Sequence, residues 1–437
     1  MRKIATHAFT AVVLFWTILP AALAELTIIH AGTLLAIPGE PLKTAQSILV
    51  QESRIIEIMD GYVTASDLNS DEEVKTVINL KDAFVLPGLI DMHVHLTMEY
   101  QSKYHYSYAP VAIPEADMAV IGVMNAHTTL MAGITTVRDL WASGRSIYAV
   151  RDAVNADRVP GPRIFASGEA ISATGGHGDY IWPQEDVLDA IRPDTLCDDA
   201  AACTAAVRRE IHQGADVIKV MATGGGADEN GKAGSAPEMT IAELTSVVEA
   251  AKALDRKVAA HAHGAAGIKA ALTAGVDSIE HGTYVDAEGI KLFRKSGAYL
   301  VPTLSLLTRV EARYDQMSPD MQEKMKAFTT LMEPNHQRAF EKGVKFAMGS
   351  DAGVKPHGTG AEELVRYVKI GMTPEQAIMT GTINAADLLG KAEELGRIAP
   401  GAYADIIAVR ENPLEDVSRL LAVPFVMKDG KVYKNED

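Results

Sequence analysis

Two cysteines in 437 residues are too few for a disulfide scaffold, and a cysteine-based zinc site would need further ligands that their segment lacks. Positive charge is also short: 41 Lys and Arg face 57 Asp and Glu, a formal charge of −16. Nucleic acid and anionic membranes are bound by clustered Lys and Arg, so neither is an expected partner. After the first 24 residues no uninterrupted apolar run reaches membrane-spanning length. There is no GxSxG elbow, no GxGxxG turn after a candidate first strand, and no GK[ST] ending on Thr223-Gly224-Gly225-Gly226. These absences argue against a serine-hydrolase elbow, a doubly wound dinucleotide fold and a phosphate-cradling P-loop. The glycine run reads instead as a loop that lets substrate approach the backbone closely.

Residues 1–24 combine Arg2 and Lys3, an apolar stretch from Ala8 to Leu19, and Ala22-Leu23-Ala24. That is the build of a secretory signal peptide. The expectation is a soluble mature chain, exported to the periplasm or secreted, with no membrane attachment once the signal is gone. Losing Arg2 and Lys3 takes its charge from −16 to −18. In an oxidising compartment Cys197 and Cys203, six positions apart, are expected to form a local disulfide.

From Val85 to about Gly390 short β-branched runs alternate with amphipathic stretches. Eight strands are read at Val85–His95, Thr135–Leu140, Arg163–Gly168, Val217–Met221, Lys257–His263, Ser278–Gly282, Tyr299–Thr303 and Lys345–Ser350. Helical patterns follow them, at Met118–Met131, Arg145–Val154, Ala205–Gln213, Ile241–Leu254, Ala265–Thr273, Ala287–Lys295, Asp320–Lys342, Glu362–Ile370 and Pro374–Leu389. Eight such units predict an α/β fold, the (β/α)8 TIM barrel, over residues 85–394. Alternating strands at Leu26–Ile37, Ser47–Met59 and Thr76–Asn79, and again at Asp405–Val409 and Phe425–Val432, predict a small composite β-sandwich domain from residues 25–84 and 395–437.

In such a barrel the chemistry sits at the C-terminal ends of the strands. Six residues fall there: His93 and His95 on strand 1, Lys219 on strand 4, His261 on strand 5, His281 on strand 6 and Asp351 after strand 8. Histidines two apart on a strand share one face, so His93 and His95 can reach one ion. An ammonium cannot ligate a metal. Buried beside Val217, Ile218 and Val220, however, Lys219 should have a lowered pKa and a neutral amine open to carbon dioxide, which gives an anionic carbamate; the other reading is a lysine paired with a barrel carboxylate. His261 and His263 also share a strand face. His261 is assigned to metal and His263, nearer the mouth, to substrate. His177, in a glycine-rich loop after strand 3, and Tyr284, after strand 6, are further substrate-binding candidates. Asp351 is placed as the catalytic proton carrier.

On PGLIDMHVH (87–95), Asp216-Val-Ile-Lys219, AHAHG (260–264), SIEHG (278–282) and GSDAG (349–353), the chain resembles the amidohydrolase superfamily. The likeness is to its binuclear branch of Xaa-Pro dipeptidases and imidazolonepropionase-like proteins, and it covers essentially the whole mature chain. The resemblance implies two divalent metal ions, zinc foremost. His93, His95 and Asp351 would hold one, His261 and His281 the other, with a carbamylated Lys219 bridging them. It also implies that His177 contacts substrate, and that homo-oligomers are common among such proteins. The implied activity is hydrolysis of the amide bond of a dipeptide, an N-acyl amino acid or an amide-linked mycotoxin of the ochratoxin type. Two rival readings are a lactonase or phosphotriesterase-like hydrolase of organic esters, and a non-catalytic binding protein on the same scaffold.

Overall fold

The computed structural model describes residues 25–68, 74–100, 112–180, 184–225 and 236–436. The expected signal peptide, and Gly226 of the glycine run, lie outside the described residues.

Strands from both ends of the chain share one sheet. β1 (Leu26–Leu34), β2 (Lys43–Gln51), β3 (Arg54–Asp60) and β4 (Val74–Pro87) join β13 (Ile406–Val409), β14 (Phe425–Lys428) and β15 (Lys431–Asn435) in the order β15-β14-β13-β4-β1-β2-β3. Their inward residues, among them Ile29, Ile48, Val50, Ile55, Leu80, Ile406, Phe425 and Met427, form a separate apolar core. The sandwich expectation required two hydrogen-bonded sheets; the described strands make one seven-stranded sheet.

Among the described residues the central part carries eight further strands. β5 (Leu89–Val94), β6 (Ile134–Asp139) and β7 (Arg163–Ala166) form one parallel ladder; β8 (Val217–Met221), β9 (Lys257–Ala262), β10 (Ser278–His281), β11 (Tyr299–Val301) and β12 (Lys345–Phe346) form another. Isolated bonds join the two. Ile171 N donates to Lys219 O (2.9 Å) between the β7 and β8 edges, and Met92 N donates to Met348 O (2.8 Å) between the β5 and β12 edges. Each strand is followed by one or more helices, the arrangement of a TIM-barrel-like α/β fold. β5 is buried at all six positions, as expected of a parallel strand covered on both faces.

The expected strand Val85–His95 is two strands. Residues through Pro87 belong to the terminal sheet, where Leu86 pairs with Ile407. Past Gly88 the chain changes sheet, and Leu89 pairs with Ile134. A Cβ on Gly88 would lie 2.2 Å from Thr135 Oγ1, so the crossover needs the missing side chain. The expected helix Pro374–Leu389 is likewise two, Pro374–Thr380 and Ile383–Leu389, parted at Gly381-Thr382. Strand 8 is regular only at Lys345–Phe346. Its remainder is tied to β5 by Asp351 N to His93 O and His95 N to Ala352 O, both 2.7 Å.

Helix ends follow local chemistry. Ala200–Gln213 begins at Asp199, whose side chain accepts from Ala202 N, and ends at left-handed Gly214 (φ 119°). A disulfide joins Cys197 to Cys203 and staples this helix to the loop before it. Among the described residues, no helix is long and apolar enough to cross a membrane.

Candidate metal centre

β5 delivers His93, and the turn after it His95; β8 delivers Lys219, β9 His261, β10 His281, and the segment after β12 Asp351. All six are buried. His281 and Asp351 have left-handed backbones (φ 69° and 58°), as does Thr303 (φ 54°). Such conformations cost of order 1–3 kcal/mol in non-glycine residues and gather where a site over-determines the chain.

Hydrogen bonds to the far side of each ring fix which nitrogen carries the lone pair. His93 Nδ1 lies 2.9 Å from Glu280 Oε2, an acceptor, so Nδ1 bears the proton and Nε2 the lone pair. His95 Nδ1 is 3.3 Å from the Trp141 carbonyl oxygen, and the same logic holds. Both Nε2 atoms face Asp351 Oδ1, at 3.6 Å and 3.0 Å, and that oxygen is buried without a hydrogen-bond donor. Three electron-pair donors converging on one point is an arrangement that fits a cation. Thr303 Oγ1 spends its hydrogen on Pro302 O (2.7 Å) and so accepts from His281 Nδ1 at 2.8 Å. That leaves His281 Nε2 free to ligate. His261 Nε2 donates to Gly224 O (3.1 Å), leaving Nδ1.

Two groups of potential ligands result, His93–His281–Asp351 and His261–His263–His281, each with its ligand atoms within 4.8 Å of one another. Their shared member, His281, makes them neighbours. His263, assigned to substrate from the sequence, stands inside the second group. Its Nδ1 is 2.8 Å from Thr283 Oγ1 and its ring stacks on that of His281 (centroids 4.7 Å, 14°). His177 stacks on His261 (4.6 Å, 27°), and Tyr284, half-buried, bonds through its backbone N to His263 O (2.9 Å).

Electrostatics favour neutral imidazoles and anionic carboxylates. Burial, with Lys219 nearby, takes His93 down to about 4. Burial and neighbouring imidazoles and Lys219 hold His261 and His281 well below the ordinary range. His95 moves the other way, because contact with Asp351 outweighs its burial. Burial would raise Asp351, yet His93, His95 and Lys219 hold it well below the carboxylate range. A pair that favours positive charge between His95 and Asp351 suits a metal cation. Lys219 is lowered to about 8, first by burial.

Several residues here were not picked out from the sequence. Glu280, fully buried, accepts from His93 through Oε2, and through Oε1 from Arg138 Nη2 (2.8 Å) and Ser278 Oγ (2.5 Å). Despite burial, Arg138 and His93 hold it at about 2. Asp91 Oδ1 accepts from His93 N (3.1 Å) and Ser350 N (3.0 Å), pinning strand 1 to strand 8. One signal was present: an ionisable residue inside an otherwise apolar strand.

The family model of the amidohydrolases matches residues 84–433. The chain belongs to the amidohydrolase family. Ochratoxinase of Aspergillus niger is 34% identical over 435 residues, spanning 94% of this chain and 87% of that enzyme. The crystal structure of a Xaa-Pro dipeptidase with methionine bound in its active site matches with a TM-score of 0.85 at 39% identity, covering 94% of this chain and 100% of that one. The ochratoxinase crystal structure gives 0.82 at 30% identity, over 94% and 96%. This amidohydrolase is accordingly a hydrolase acting on amide bonds, from a family typically dependent on metal.

Proposed function

We propose that the protein is an exported, zinc-dependent amidohydrolase that cleaves the amide bond of dipeptides or N-acyl amino acids, amide-linked mycotoxins of the ochratoxin type included. The observation that carries this reading is the convergence of His93 Nε2, His95 Nε2 and Asp351 Oδ1 beside the group His261–His263–His281. In it His93, His95 and Asp351 would hold one divalent ion and His261 and His281 a second, with a carbamate on Lys219 completing the ligand set. The strands of the two parallel ladders are read as one closed barrel around this site.

When bound, the ions would supply Lewis acidity and bring the pKa of water from 15.7 toward ~7. Lys219 would contribute once neutral: its Nζ lone pair bonds to the carbon of carbon dioxide as one C=O π pair moves onto oxygen, and an N–H proton passes to water, leaving an anionic carbamate. Asp351 takes the proton of the attacking water on Oδ2 and delivers it to the amine nitrogen as the C–N bond breaks. Glu280 keeps the His93 lone pair aimed inward, and Thr303 does so for His281. His177, His263 and Tyr284 would contact substrate.

A panel of dipeptides, N-acyl amino acids, lactones and phosphotriesters, offered to zinc-loaded protein of measured metal content, tests the reading. Expected are amide cleavage and close to two ions per chain. Full activity at one ion per chain would overturn the binuclear site, and ester cleavage without amide cleavage would overturn the substrate class.

A further inference from the structure

Three loops at the C-terminal end of the barrel meet around one arginine that no step above uses. Arg309 lies in the helix Leu306–Arg313, in the connection after β11. Its Nη1 donates to Val354 O in the loop after strand 8, and Val354 N donates to Asp351 O (3.1 Å). The guanidinium also stands 5.4 Å from the ring of Tyr100, in the loop after β5, with Arg313 on the same ring at 5.9 Å. Two nearby cations are paired: Lys355 with Glu362 (2.8 Å), and Arg366 with Glu311 (2.6 Å) and Glu333 (3.0 Å). Arg309, half-buried, has no carboxylate at ion-pair distance among the described residues.

We propose that Arg309 binds the free α-carboxylate of the residue that leaves with the amine, which makes it a specificity-determining residue of this site. The inference rests on the amide-hydrolase reading. In a dipeptide or N-acyl amino acid the carboxylate is one Cα away from the scissile nitrogen, and one residue spans about 3.8 Å. Its anchor must therefore stand next to the group that protonates that nitrogen, and Arg309 is bonded to the loop that carries Asp351. A guanidinium offers two parallel N–H donors that match a carboxylate, and its charge persists at any working pH. His263, the buried candidate, has Nδ1 tied to Thr283 and its ring stacked on His281. Burial and the neighbouring Arg313 lower the pKa of Arg309, against opposing contributions from Tyr100 and Asp351.

The test pairs binding with turnover. Metal-depleted protein, which turns nothing over, is titrated by calorimetry with N-acetyl-L-phenylalanine and with its C-terminal amide. kcat/KM for a dipeptide and its amide is measured on the zinc-loaded enzyme. Wild type should prefer the free acid about 10- to 150-fold in both, the range for one charge-assisted hydrogen bond in a dry site. Arg309→Met should collapse that ratio to near one, and Arg309→Lys should keep part of it. Thermal unfolding of both variants checks that they are folded. A preference retained in Arg309→Met, or no preference in wild type, overturns the assignment even if amides are cleaved. A preference in binding that Arg309→Met abolishes, with no amide cleaved, upholds Arg309 and sinks the proposed reaction instead.

Discussion

The residues that hold the centre and those that aim them answer to different physics, and Glu280 separates the two. It touches no expected ion, yet it alone among the described carboxylates takes the His93 Nδ1 proton. Glu280→Gln keeps the volume and removes the charge that Arg138 and His93 hold at about 2. Loss of such outer partners typically costs 10- to 100-fold in metal affinity or activity. The variant should need roughly that much more zinc for half-maximal activity, with kcat little changed at saturation. Unaltered zinc dependence would show that Glu280 serves only the barrel interior. Lys219 gives a prediction in pH. Its pKa falls from 10.5 to about 8 on burial, so between those values the unfolded chain holds a proton that the folded chain has released. The stability of metal-free protein should therefore rise with pH across that window, by about 3 kcal/mol in all. At fixed dissolved carbon dioxide, reactivation by zinc should quicken about tenfold per pH unit below 8 and level off above it. A rate flat from pH 6.5 to 9 would contradict the carbamate. The candidate ligands were the residues to notice in the sequence, since histidine and aspartate at strand ends need no partner to stand out. Their supports were not: Arg138 and Glu280 meet across 142 positions, and a single sequence offers nothing that couples them.

Among the elements, strands were legible where β-branched runs are bounded by turns and illegible where an apolar run crosses between sheets. Val85–His95 reads without a break because both halves are buried; only the pairing of Leu86 with Ile407 and of Leu89 with Ile134 divides it. The last barrel strand fails for the opposite reason. After Phe346 it gives up a regular ladder so that Gly349-Ser-Asp351-Ala-Gly353 can bend around β5. Gly353 has φ +117°, and a Cβ there would stand 2.8 Å from His95 Cβ and 2.9 Å from His95 O. Space and backbone both forbid a side chain. Gly353→Ala should destabilise the fold by about 1–3 kcal/mol and displace His95 from Asp351, so zinc content and activity fall together. A variant with normal melting temperature and normal zinc would mean that the loop yields without moving the ligand.

For the whole molecule, both chain ends close one sheet, with β4 paired to β1 on one side and β13 on the other, so neither flank is a unit by itself. The alternating patterns at the two ends made the shared sheet legible; whether it would fold into one sheet or two was not, because alternation specifies a buried face and not its partner. Compartment is read at this scale too. Residues 1–24 have the three-part build of an export signal, and the bond between Cys197 and Cys203 suits the proposed export, since cytosolic thiols are kept reduced. Closing a loop of this length stabilises by about 2 kcal/mol in the chain-entropy model, so the bond should be worth keeping in a chain that works outside the cytosol. Protein purified from its native compartment should begin at Glu25 by mass spectrometry and take up a thiol-alkylating reagent only after reduction, at two positions. Reduction should lower the melting temperature while leaving zinc bound, because neither cysteine belongs to the candidate ligand groups. A chain that keeps residues 1–24 and alkylates at both cysteines without reduction would place the enzyme in the cytosol, and the export reading would fall with it.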